Sequence, residues 1–455
     1  MKILIIAQYF PPDITAAAFR MFDTARLLED TGHEVRVITA HPHRSQVDGD
    51  SAARYDGQIS GVWRTPVAHL NGGGFSDYVK HYVSFMIGSS WLGLRQRLTG
   101  WRPDVIWASS PPLFVGCTGV ALSRLSRCPL VLDVRDLWPA SAVGAGQLSA
   151  QGRACRIGER MEQYVYDRAA HITCVARPMR DYIRARARTG VTVVYNGARA
   201  SDVRTGPAEG NGSQNGPTLL YAGNLGRAQQ LDLLIRAWAN VRGRNGHDRW
   251  TMKLLGTGAV EKELKELASS LRVGDSVVFM PPVSRQEAMC EMARADALSV
   301  SLQPDKAFEK TIPSKVFDCM AVGRPVLAGV AGEGREILES TGANVCYRPG
   351  DQGDLERSLT LLMRDYQRLR LMAYRNPEVI RNGYTRERAV ATLTRVFNSV
   401  VSNGHSVPMI ENLANVEFAD STYSSQSRHS GIADAVVCQA PRKRRNVHIH
   451  KSVVQ

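Results

Sequence analysis

Eight cysteines are scattered singly through 455 residues, and no C-x-x-C pair occurs among them. That spacing fits free thiols in a reducing cytoplasm, and Cys117, Cys174 and Cys319 read as small buried apolar side chains. Long apolar runs are missing too. The opening MKILIIAQYFPP breaks at Pro11-Pro12 with no small-residue cleavage site, so a signal peptide is not expected there. Between His81 and Arg95 stand thirteen uncharged residues, short of the roughly 20 that a spanning helix needs. No G-x-G-x-x-G follows the first strand, which disfavours a dinucleotide cofactor. RNA-recognition signatures, zinc-finger spacing and helix-turn-helix patterns are absent, so nucleic acid is not an expected partner. Acid is in deficit as well: 43 Asp and Glu face 57 Lys and Arg, for a net charge of +14. So basic a balance favours anionic partners such as anionic lipid or diphosphate ligands.

What is present is an alternation of short apolar runs with helical patterns. In the first half the runs are Ile3–Ala7, Val35–Thr39, Asp104–Ser109, Pro129–Val134, His171–Ala176 and Val191–Tyr195. In the second they are Thr218–Ala222, Met252–Leu255, Val277–Met280, Ala297–Leu302, Pro325–Val330 and Ala343–Tyr347. Runs bounded by Gly, Pro and polar turns imply buried parallel strands in βαβ units. Two sets of six imply an α/β chain of two Rossmann-like domains. The expected division is 1–199, a Gly/Ser/Asn-rich linker 200–216, a second domain 217–386, a closing helix 387–401 and a polar tail 402–455. The tail is expected to be disordered, with its Pro441–Arg445 cluster a solvated charge run. Ligands of open α/β sheets bind at the carboxyl ends of the strands, so two such domains facing each other would enclose a cleft.

The most informative stretch is Glu309–Gly329, EKTIPSKVFDCMAVGRPVLAG. Pro313 and Ser314 open a short helix, Val316, Phe317 and Met320 give it an apolar face, and Gly323 closes it before a strand. A helix start offers free N–H groups to a phosphate. Lys315 adds a cation, and Asp318, three residues on, adds an acceptor pair suited to sugar hydroxyls. The plainer reading is a solvated i, i+3 ion pair, worth a few tenths of a kcal/mol.

Seven motifs in order resemble a GT-B glycosyltransferase of the retaining family 4 type, over roughly Met1 to Val400. They are YFPPDITAAAFR (Tyr9–Arg20), GHEVRVIT (Gly32–Thr39), RPDVIWASSPPL (Arg102–Leu113), DVRDLWPASAV (Asp133–Val143), VVYNG (Val193–Gly197), YAGNLGRAQQL (Tyr221–Leu231) and the Glu309–Gly329 segment. The chain is similar to the bacterial O-antigen and capsule branch that includes the fucosamine transferases. The resemblance implies an acceptor-side loop at Thr15, Ala16, Ala17 and Arg20, with Thr15 where relatives often carry Gly. It puts Arg135 where many members carry a His, leaving Arg135 and Asp136 as catalytic-region candidates or as a pair that props the loop. Arg cannot act as a general base.

On the donor side the resemblance implies a site at Gly223, Asn224, Arg227, Gln229 and Gly256, with Gly256-Thr-Gly258 as a turn near the nucleobase or a plain turn. Asn224 and Gln229 stand uncharged where relatives carry Arg and Lys, so the diphosphate grip moves toward Arg227, Ser314 and Lys315. Asp318 falls on the ribose-binding acid. Lys310, eight positions earlier, falls where the resemblance implies the first glutamate of that pair, the donor-sugar contact, with Glu309 adjacent to it.

The stretch 78–98 reads either as a helix lying on an anionic membrane, with Phe85, Met86, Trp91 and Leu92 in the interface, or as a helix packed on domain one. The resulting expectation is a cytoplasmic glycosyltransferase, peripheral on the inner face of the plasma membrane if that helix docks. It would move a sugar from a nucleotide diphosphate, UDP above all, to a polyprenyl-diphosphate-linked acceptor in surface polysaccharide synthesis. No metal or other cofactor is expected, because the lone D-x-D, Asp48-Gly49-Asp50, sits in a polar loop-like stretch. Two alternatives stay open: a nucleotide-sugar epimerase of the same architecture, and a non-catalytic nucleotide-sugar-binding protein.

Overall fold

The computed structural model describes residues 1–13, 15–43, 49–70, 75–144, 148–206, 216–242 and 249–402. The first lobe holds strands β1 (Lys2–Ile6), β2 (Glu34–Ala40), β3 (Gly61–Thr65), β4 (Val105–Ser110), β5 (Leu130–Val134), β6 (His171–Cys174) and β7 (Val191–Val193). Its helices are α1 (Ala16–Asp30), α2 (Gly49–Asp56), α3 (Phe75–Leu98), α4 (Phe114–Ser126), α5 (Ala140–Gly144), α6 (Arg153–Tyr166) and α7 (Arg177–Arg184). The second lobe holds β8 (Thr218–Ala222), β9 (Thr251–Leu255), β10 (Val277–Met280), β11 (Ala297–Ser301), β12 (Val326–Gly329) and β13 (Val345–Cys346). Its helices are α8 (Leu231–Val241), α9 (Glu261–Ser270), α10 (Arg285–Arg294), α11 (Ser314–Ala321), α12 (Gly332–Glu339), α13 (Gln352–Arg364), α14 (Tyr366–Met372) and α15 (Arg375–Gly383), and α16 (Arg386–Ser402) follows.

The strands form two sheets, ordered β3-β2-β1-β4-β5-β6-β7 and β10-β9-β8-β11-β12-β13. Every pairing is parallel. Both sheets reverse their order beside the first strand, between β1 and β4 and between β8 and β11, which is where such sheets open a ligand crevice. Covered by helices, β4 and β5 are buried along their whole length. The architecture is two Rossmann-like lobes, as the apolar runs imply.

Four expectations need comment. The first sheet has a seventh strand, β3, whose sequence GVWRT is half-buried at the sheet edge. An edge strand packed on one face carries no continuous apolar run. Residues 49–56 are helical, so the loop reading of the D-x-D stretch is corrected there, while Asp48 lies outside the described residues. Linker residues 207–215 and tail residues 403–455 also lie outside them. The closing helix α16 returns to the first lobe: Val390, Leu393, Val396 and Phe397 join Ile3, Ile5, Val35 and Trp107 in one apolar cluster.

Helix α3 packs on the first lobe. Phe85 is fully buried and Leu92 lies against the core, which removes both from any membrane interface. A Cβ added at Gly93 would meet Leu122 Cδ2 at 2.7 Å, so glycine lets α3 and α4 approach closely. The opposite face exposes Ile87, Trp91 and Leu98, spaced four and seven residues apart along one stripe. No helix among the described residues is long and apolar enough to cross a membrane.

Candidate active site

The cleft face of the second lobe is built from glycines. Gly223 ends β8 and Gly256 ends β9, both at φ +137°, a region closed to most side chains. A Cβ at Gly256 would collide with the Gly223 carbonyl, and one at Gly258 with the Leu225 backbone. The two turns therefore pack backbone to backbone. Lys315 enters this floor from the first turn of α11. Its Nζ donates to the Tyr221 hydroxyl and lies 4.1 Å from the centre of that ring. A Cβ at Gly223 would meet Lys315 Cε at 2.6 Å, so glycine there is what admits the lysine. Burial pulls the Lys315 ammonium down to about 8, with Cys319 and Asp318 opposing. Pro313, ahead of Ser314, gives α11 no side-chain cap, which leaves the helix start without a polar side-chain partner of its own.

Lys315 and Asp318 do not pair with each other. Asp318 is held by Arg285, whose Nη2 donates to Oδ1 at 3.0 Å and whose Nη1 donates to Oδ2 at 3.3 Å. The same guanidinium reaches Asp202 at 2.8 Å. The two carboxylates outweigh burial and hold Arg285 firmly charged. Sequence reasoning passed over Arg285. Its one signal was a cation in the first turn of a helix, on the wrong side of the helix dipole. A cavity of about 700 Å³ opens beside it, bordered by Asp23 and Arg26 of α1, by Arg199 and by the Val283–Gln286 turn.

The remaining donor-side candidates divide. Gln229 accepts from the Gly226 N–H at 3.1 Å and so closes its own turn. Asn224 is exposed, and its carbonyl accepts from the Tyr221 hydroxyl at 2.7 Å. Arg227 is solvated and lies 3.4 Å from Glu263, so it is not gathered beside Lys315. Glu309 is exposed in a single helical turn, Phe308–Lys310. Lys310 leaves its own lobe altogether, with its Nζ 4.7 Å from the ring centre of Tyr182 in α7.

In the first lobe the DVRD loop is anchored from within. Arg20 grips Asp133 at 2.6 and 3.1 Å, and Ser109 and Thr173 each donate to the same carboxylate at 2.9 Å. Burial opposes that charge, but Arg20 prevails and holds the carboxyl below its usual range. Arg20 is thus buried and committed to Asp133, rather than presented to an acceptor. Arg135 donates to Ser109 Oγ at 2.8 Å and to the Pro111 carbonyl at 3.2 Å. Burial and the Arg20 charge bring it down to about 10, so it stays cationic at neutral pH. Asp136 is raised by burial, and Asp305 of the second lobe adds to that rise from across the cleft. Thr15 caps α1 by accepting from the Ala18 N–H at 3.1 Å, and Ala16 and Ala17 remain open at the helix start.

The lobes also latch directly. Glu333 in α12 is buried and accepts from the Arg177 N–H at 2.6 Å, from Arg177 Nε at 2.7 Å and from the Tyr195 hydroxyl at 2.6 Å. None of the sequence motifs includes Glu333.

Two facing Rossmann-like lobes, with a lysine and glycine turns in the cleft, define the GT-B class. Residues 15–197 match the model of the glycosyl transferase 4-like domain, and residues 216–365 match that of the glycosyl transferases group 1. The chain is a glycosyltransferase of this two-domain family. It is similar to WcaI of Escherichia coli (strain K12), which carries the name of a colanic acid biosynthesis glycosyl transferase: 24% identical over 370 residues, 77% of this chain and 89% of WcaI. It is 25% identical over 267 residues to WbjE of Pseudomonas aeruginosa, which carries the name of a glycosyltransferase, covering 56% of this chain and 65% of WbjE. Among solved structures, HepE of Anabaena in complex with UDP and glucose shares the fold at TM-score 0.66 and 17% identity, over 88% of this chain and all of that one. Sucrose-phosphate synthase of Thermosynechococcus elongatus does so at TM-score 0.68 and 15% identity, over 88% of this chain and 99% of that one.

Proposed function

We propose that the protein transfers a sugar from UDP-sugar, with retention and without a metal, to a polyprenyl-diphosphate-linked acceptor in surface polysaccharide synthesis. The observation that carries this reading is Lys315 against the Gly223 and Gly256 turns. A cation at a helix start beside open backbone is the arrangement a leaving diphosphate requires. Asp318, oriented by Arg285, takes the ribose hydroxyls. Arg135 adds positive charge from the opposite lobe. Asp136, biased toward its neutral form by burial, contacts the acceptor. In front-face attack the leaving phosphate oxygen accepts the proton of the incoming hydroxyl, so the step requires no additional base.

The likeness to WcaI supports the polysaccharide role, and the UDP in the HepE complex supports the donor. The glycosyl transferase domains favour transfer over the epimerase and non-catalytic alternatives. The apolar stripe of Ile87, Trp91 and Leu98 supports a membrane-peripheral placement. The test is Lys315→Ala, assayed with UDP-sugar and a lipid-linked acceptor in the presence of EDTA. Wild-type transfer proceeds in EDTA, whereas the variant folds and loses transfer. Normal transfer by the folded variant sinks the diphosphate role, and loss of wild-type activity in EDTA sinks the metal-free mechanism.

A further inference from the structure

Away from the donor side, the first lobe contains a cavity of about 350 Å³ among α3, α4, α5 and α6. That volume is at the small-ligand end of the usual range, ~300–1,000 Å³. Its lining is apolar and aromatic, including Tyr82, Phe114, Trp138, Ala154, Ile157 and Met161. Two of these residues belong to the loops that hold Arg135. Trp138 stands two residues after Asp136, and Phe114 begins α4 just beyond Pro111, whose carbonyl accepts from Arg135. Aromatic rings continue from the cleft to this cavity. Tyr9, three residues beyond β1, lies 5.4 Å from His43; His43 lies 4.8 Å from His81; His81 lies 5.6 Å from Tyr82; and Tyr82 lies 6.2 Å from Phe114. The outer wall is α6. Its lining face is Ala154, Ile157, Gly158 and Met161, at helical spacing. The flank next to Ile157 carries exposed Arg153 and Arg160, while Glu159 lies on the other flank. Ile157 itself is 59% exposed, an apolar side chain at the edge of the cavity.

We infer that this cavity binds the apolar chain of the acceptor, the first isoprene units next to its diphosphate. An apolar slot beside the Arg135 loops, with arginines along one rim, complements an anionic head joined to a branched hydrocarbon. Burying that chain removes apolar surface from water, and the anion lies near the guanidinium groups. The inference rests on the lipid-linked acceptor of the proposed function and names where that lipid is recognised.

The test titrates the purified full chain with farnesyl diphosphate, inorganic pyrophosphate and UDP, using calorimetry. Farnesyl diphosphate is expected to bind at least tenfold more tightly than pyrophosphate. Ala154→Phe, which fills the cavity, and Ile157→Glu, at its exposed edge, should each abolish that preference and leave UDP affinity unchanged. Equal binding of farnesyl diphosphate and pyrophosphate by the wild type overturns the inference, as does an undiminished preference in Ile157→Glu. Concentration-dependent self-association that Ile157→Glu abolishes, with no prenyl preference, would instead assign the cavity to a second copy of the chain. If UDP fails to bind, the donor reading falls, and the prenyl comparison still decides the cavity.

Discussion

At the residue scale, Lys315 places function and stability in opposition. Its folded pKa of about 8 lies below the ordinary lysine value of 10.5, with burial as the main cause. Between those two values the unfolded chain holds a proton that the folded chain has released, so stability rises with pH across this window. The proposed diphosphate binding needs the proton and runs the other way. UDP affinity should therefore weaken as pH rises through 8, and the loss should be absent in Lys315→Arg; titration calorimetry from pH 7 to 9.5 reads both. Asp133 shows the structural counterpart. Arg20→Met would leave that carboxylate buried without its main partner, and breaking such a pair costs about 3–5 kcal/mol. Denaturant unfolding should register the loss while UDP affinity holds, since Arg20 faces Asp133 and not the donor. A large fall in UDP affinity at full stability would contradict this division.

At the element scale, the glycine turns after β8 and β9 act as one unit. Gly256→Ala forces a side chain into φ +137° and against the Gly223 carbonyl, so the two turns must separate. Strain of this kind costs of order 1–3 kcal/mol. The expected result is a folded protein with UDP affinity reduced at least tenfold, measured by calorimetry. Unchanged affinity would mean that the turns do not shape the donor site. Elements of this kind were legible in the sequence because a buried parallel strand is a continuous apolar run, and twelve of the strands announce themselves that way. Only β3 escaped, because at the sheet edge Trp63 and Arg64 share its five residues. The helix start at Ser314 was legible from Pro313, whereas the contact of Lys315 with Tyr221 was not, because the two lie 94 residues apart. The partners of Asp318 were not legible, because Arg285 lies 33 residues away and reaches it only through the order of the second sheet.

At the scale of the whole molecule, the lobes are coupled by side chains that no local pattern reveals. Glu333 binds Arg177 and Tyr195 across the cleft, and Lys310 rests on Tyr182. Neither contact can be read from spacing, because each joins residues more than a hundred positions apart. Glu333→Ala would leave the Tyr195 hydroxyl and the Arg177 N–H without their acceptor, at about 1–3 kcal/mol for a buried group left unpaired. The expected outcome is a lower melting temperature and a larger radius of gyration in X-ray scattering, reversed by saturating UDP-sugar if the donor draws the lobes together. An unchanged radius would place the coupling elsewhere, in the α16 crossover or the aromatic contact between Tyr195 and Tyr384.

Because α16 follows the second lobe in sequence yet completes the apolar cluster around Ile3 and Trp107, the two lobes are not separable cassettes along the gene. A recombination event or an engineered exchange at a single crossover near residue 200 would replace the second lobe and, with it, part of the first lobe's own interior. The second lobe is exchanged cleanly only with two breakpoints, one between the lobes and one at the threshold of α16. A single-junction hybrid between distant relatives should therefore accumulate as insoluble protein even when each parent is well behaved.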